Sequence, residues 1–104
     1  MAKRFILYNL ADNITDEAFK EYVVTDKGPL INSLPGVKKY ELVKITGATA
    51  EKIPYKYVGV LHLDSAEEYD QKATKLPAYQ DFLKKFGPMA KDMIMLTGEE
   101  IYSP

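Results

Sequence analysis

The lone histidine of the chain, His62, stands near the C-terminal end of an apolar run, Tyr55 to Glu68 (YKYVGVLHLDSAEE), where a neutral imidazole could accept and return a proton near pH 7. Burial in an apolar cavity would push its pKa below the ordinary value of about 6.5 and keep it a free base. Tyr40, in VKKYELVKI, offers a phenol that can donate a hydrogen bond to a carbonyl or a developing oxyanion. Tyr8, favoured over its neighbour Asn9, is a further candidate for a cavity wall. With one histidine, no cysteine and no recognisable oxygen-ligand loop, the sequence predicts neither a metal nor another cofactor. Thiolate nucleophiles and disulfides are excluded, and neither a serine triad nor a Gly-rich phosphate loop is present.

The elements that must position these groups follow from hydrophobic period and punctuation. In the Tyr55–Glu68 run, Tyr57, Leu61 and Leu63 alternate with Val58, Val60 and His62, so both faces of the strand are largely apolar and both should be covered. Ser65 and Glu68 have capping-box spacing and start a helix directly afterwards. A first strand is expected over residues 3–10, and a helix from Thr15 carries Phe19, Tyr22 and Val23 on one face until Gly28-Pro29 breaks it. A second strand spans about 37–45, a loop covers 46–54, Pro77 opens a second short helix, and Gly87-Pro88 ends it before a last strand over 91–97. Met89, Met93 and Met95 are expected to fill core space.

The order strand, helix, strand, strand, helix, strand is that of an α+β, ferredoxin-like βαββαβ sandwich in one domain, 1–104, with both helices on one face of the sheet. The other face would then leave an apolar surface bare. A second copy is the simplest cover, giving a homodimer, a dimeric α/β barrel, with a closed central cavity. By alternation Leu63 faces the helices, and His62, Val60 and Val58 face that cavity. If Val37 also faces the helices, strict alternation puts Tyr40 and Leu42 beside them on the cavity side. Eight tyrosines suit a pocket for a small aromatic ligand. A net charge of -1 without a cationic stripe argues against nucleic acid, and no run reaches membrane-spanning length, so a cytoplasmic protein is expected.

Several short motifs add a resemblance. Phe19-Lys20-Glu21-Tyr22, Lys27-Gly28-Pro29-Leu30 and Leu34-Pro35-Gly36-Val37 with Tyr40, followed by LHLDSAEEY, resemble EthD-like members of the dimeric α/β-barrel superfamily, and most of all the small RedY-like proteins of prodiginine pathways. That resemblance implies a cofactor-free enzyme of secondary metabolism acting on a small pyrrolic or carbonyl intermediate, such as a cyclisation with loss of water in the bipyrrole branch. It leaves open a non-catalytic dimer that binds an aromatic intermediate, or a cofactor-independent monooxygenase. Lys27 stands where many relatives carry histidine. A lysine desolvated there could form an imine with a carbonyl or act as an acid, joining His62 and Tyr40 as a third catalytic candidate.

Overall fold

The computed structural model describes residues 2–104. Four antiparallel strands, β1 (Ala2–Leu10), β2 (Val37–Lys44), β3 (Tyr57–Leu63) and β4 (Ala90–Glu99), form one sheet in the order β2-β3-β1-β4, the ferredoxin-like arrangement. Helices α1 (Asp16–Tyr22), α2 (Gly28–Asn32), α3 (Ala66–Gln71) and α4 (Pro77–Phe86) complete the chain. The two N-caps form as their residues dictate: Thr15 Oγ1 accepts from the Ala18 amide, and Ser65 Oγ accepts from the Glu68 amide.

Gly28-Pro29 does not break the first helix. Val23–Lys27 widens into a π-helical turn in which the Gly28 amide bonds the Val23 carbonyl, and the chain continues directly into α2. The wider turn accommodates Pro29, which has no N–H to offer. Glycine is required before it, because a Cβ at Gly28 would lie 2.7 Å from the Val23 carbonyl oxygen.

Strand alternation builds the core. Leu63, Leu61 and Tyr57 of β3 turn toward the helices and bury with Tyr69, Ala73, Phe19 and Phe86. Tyr8 pairs directly opposite Tyr57 and shares that face, fully buried, with its ring stacked 5.8 Å from that of Tyr57. Tyr8 is therefore on the helical side of the sheet, not on the open face where the sequence reading set the cavity. The same correction applies to Tyr40 and Leu42. Between Val37, opposite Leu63, and Lys39, opposite His62, β2 carries one extra residue, and this bulge at Lys38 reverses the alternation. Tyr40 then pairs with Leu61 and Leu42 with Gly59, so both pack against the core.

The opposite face holds Phe5 and Leu7 of β1, Val58, Val60 and His62 of β3, and Ile94 and Leu96 of β4. It has no helix over it, and Ile94 and Leu96 are exposed. Among the described residues, no helix is long and apolar enough to cross a membrane.

Candidate active site

Between the sheet and the helices lies a cavity of about 450 Å³. Its floor is the helix-facing row Arg4, Ile6 and Tyr8 of β1 with Gly59 and Leu61 of β3, and its roof is Tyr79, Phe82 and Phe86 of α4. The Tyr40 ring lies across Gly59, where a Cβ would sit 3.4 Å from Tyr40 Oη, so the absent side chain leaves that ring its place. On the β4 side the wall is Met93 and Met95, 37% and 68% exposed. These two methionines are not core fillers, because β4 is an edge strand that the helices do not roof; Met89 does pack against the core.

Lys27 reaches into this cavity and is only 4% exposed. Its Nζ donates to Tyr40 Oη at 2.5 Å. Ring centroids surround the amine: Phe86 at 4.6 Å, Tyr40 at 4.8 Å, Tyr8 at 5.7 Å and Phe82 at 5.9 Å. Among the described residues no carboxylate pairs with it. Loss of hydration disfavours the ammonium form and lowers the Lys27 pKa from 10.5 to about 7. The ring faces return part of that penalty, on the order of 1–2 kcal/mol for a well-placed ring around a desolvated cation, but they do not replace a counter-charge. At neutral pH a sizeable share of the molecules therefore carries a free amine. Burial acts oppositely on the phenols, raising the Tyr40 and Tyr8 pKa values and keeping both as neutral donors. Tyr8 Oη is buried and lacks a hydrogen-bond partner among the described residues.

At the other end of the β1 row, Arg4 grips Asp70 of α3 through two hydrogen bonds of 2.5 and 2.8 Å and lies over the Tyr69 ring at 5.5 Å. This fork ties α3 to the sheet beside the cavity and raises the Arg4 pKa while lowering that of Asp70.

Of the residues singled out in the sequence, the structure brings Lys27, Tyr40 and Tyr8 together, with Leu42 in the adjoining core. It does not bring His62 to them. His62, with Val58 and Val60, lies on the open face, where its Nε2 meets Glu41 Oε1 at 2.7 Å and the sheet separates it from Lys27. Arg4, Phe82 and Phe86 escaped sequence reasoning as site residues. Only the apolar period of α4 hinted at the last two.

The buried Lys27 thus ends the π turn directly before Gly28-Pro29-Leu30 of α2, in a ferredoxin-like sheet with one bare face. The profile of the REDY-like protein HapK family matches residues 2–101. The chain belongs to that family. HapK from Hahella chejuensis is similar in structure with a TM-score of 0.81 at 23% identity, over 100% of this chain and 96% of HapK. An EthD family protein from Bacillus halodurans gives 0.73 at 22% identity, over 97% and 99% of the two chains. A dimeric ferredoxin-like protein from Thermobifida fusca gives 0.73 at 21% identity, over 93% and 88%. No curated protein matches the chain significantly.

Proposed function

We propose that this REDY-like protein is an enzyme of secondary metabolism in which Lys27 and Tyr40 form the reacting pair for a small, flat, carbonyl-bearing or pyrrolic substrate. The reaction fitting both the pair and the family is a cyclisation with loss of water, in the bipyrrole branch of a prodiginine pathway, and it runs without a cofactor. One observation carries the reading: an amine buried in an aromatic cavity, uncompensated by any carboxylate among the described residues, and held by a phenol. A neutral amine can take a proton from carbon or oxygen near pH 7, and the un-ionised Tyr40 hydroxyl can give one to a departing oxygen. Tyr8 Oη would supply a hydrogen bond to a substrate acceptor, since nothing among the described residues satisfies it.

In the same reading the bare face, with Phe5, Leu7, Val58, Val60, Ile94 and Leu96, closes against a second copy, which would take these apolar side chains out of water. His62 then belongs to the dimer interior rather than to the reacting centre.

The test is turnover of a pyrrole bearing an open-chain carbonyl side chain that can close to the second ring, followed by mass spectrometry for the loss of one water. Lys27→Met should reduce the rate at least 100-fold and Tyr40→Phe at least tenfold, with binding of the substrate retained in the latter. Full activity in folded Lys27→Met would end the proposal. Tight binding without turnover by the wild type would make the protein a carrier of the aromatic intermediate instead.

A further inference from the structure

We propose that Lys27 holds its substrate covalently, as an imine formed between Nζ and an aldehyde or ketone conjugated to a flat aromatic ring. The inference rests on the cavity being the substrate site and deepens that reading by naming the bond and the carbonyl class.

Four features of the site converge on this step. The amine lines the cavity wall; among the described residues its one hydrogen-bond partner is a neutral phenol, and no carboxylate pairs with it to fix a positive charge. Its lowered pKa leaves it nucleophilic near pH 7. Tyr40 Oη, 2.5 Å from Nζ, stands where it can serve the oxygen of whatever carbon bonds to that nitrogen. The rings of Phe86 and Tyr40, within 5 Å of Nζ, present faces suited to a delocalised cation, which a protonated imine conjugated to a pyrrole would be.

The step balances without an oxidant or reductant. Nζ adds to the carbonyl carbon, forming the N–C bond while the carbonyl π pair moves to oxygen, which accepts a proton from Tyr40. The nitrogen loses a proton to the Tyr40 oxygen, giving a neutral carbinolamine. Tyr40, neutral again, protonates the carbinolamine oxygen, which leaves as water as the nitrogen lone pair forms C=N, and the protonated imine then returns its nitrogen proton to the Tyr40 oxygen. One amine and one carbonyl have become one imine and one water.

The experiment uses the intact protein with 1H-pyrrole-2-carbaldehyde as probe and sodium cyanoborohydride as the added reductant, which converts an imine into a stable secondary amine. Peptide mapping at pH 7 reads the position of the adduct, and difference absorbance reads binding of the aldehyde separately. At pH 7 about half of Lys27 is unprotonated, against roughly one part in 3,000 for an amine with the ordinary value of 10.5. Labelling of Lys27 should therefore exceed that of any surface lysine by at least about tenfold, even after allowance for the weaker nucleophilicity of a less basic amine. It should be absent in Lys27→Met and slowed at least tenfold in Tyr40→Phe, which retains the lysine; circular dichroism confirms that both fold. Saturable binding with no adduct, or with adducts spread evenly over the lysines, overturns the imine and leaves the substrate site standing. Neither binding nor adduct overturns both.

Discussion

Replacing Lys27 with methionine should stabilise the protein, and by an amount that depends on pH. Methionine has a similar length and no charge, so it fills the same space among Phe82, Phe86, Tyr8 and Tyr40 without needing water. In the wild type, the unfolded chain holds the lysine proton up to pH 10.5 and the folded chain releases it near 7. Between those values the unfolded state binds more protons, so stability rises with pH; below 7 both states are protonated and the cost of the buried ammonium is felt in full. The separation of 10.5 − 7 = 3.5 units corresponds to about 5 kcal/mol at about 1.4 kcal/mol per unit. Water penetration and the ring faces reduce this, and we expect about 2–4 kcal/mol. The assay is urea unfolding of wild type and Lys27→Met from pH 6 to 9.5 at one fixed protein concentration. With a urea dependence of about 1–2 kcal/mol/M, the variant midpoint should lie about 1–4 M above wild type at pH 6 and converge toward it by pH 9.5. The difference between the two proteins isolates Lys27 from other titrating groups. A difference that stays flat over this range, or a variant less stable at pH 6, would refute the buried, readily deprotonated amine.

Three other substitutions test separate parts of the account. Tyr8→Phe removes a buried hydroxyl without a partner among the described residues, so the free protein should gain up to about 1 kcal/mol in thermal unfolding while its KM for substrate rises; a loss of stability would show that the hydroxyl is satisfied. His62→Ala should leave turnover within about twofold of wild type in a kinetic assay, because the imidazole lies across the sheet from Lys27, and a 100-fold loss would return the reacting centre to the open face. Gly36→Ala should cost about 2–4 kcal/mol in urea unfolding, because Gly36 has φ +82° and a Cβ would meet the Ser65 carbonyl oxygen at 2.5 Å; an unchanged midpoint would contradict this close approach.

The order of strands and helices along the chain, the Thr15 and Ser65 caps and the helix-facing set of β3 were all legible, because each depends on local chemistry or hydrophobic period. The face of Tyr40 was not, because one bulged residue reverses the alternation. A signal was present: Val37, Tyr40 and Leu42 are spaced by three and then two, as a strand with an inserted Lys38 would show. Gly28-Pro29 read as a break because proline is a helix breaker in the α register, whereas the π turn absorbs it. The environment of Lys27 was beyond local reading. Its four aromatic neighbours come from β1, β2 and α4, and a lysine in a helix ordinarily reaches solvent. The family motif brought Lys27 forward by position alone; the physical reason for choosing it, burial without a counter-charge, exists only once the sheet and helices meet.

The most direct measurement is an NMR titration of the Lys27 side chain, with 13Cε and 15Nζ labelling and assignment by comparison with Lys27→Met. The account predicts a midpoint near 7 for this one lysine. A midpoint near 10, in step with the surface lysines, would contradict it.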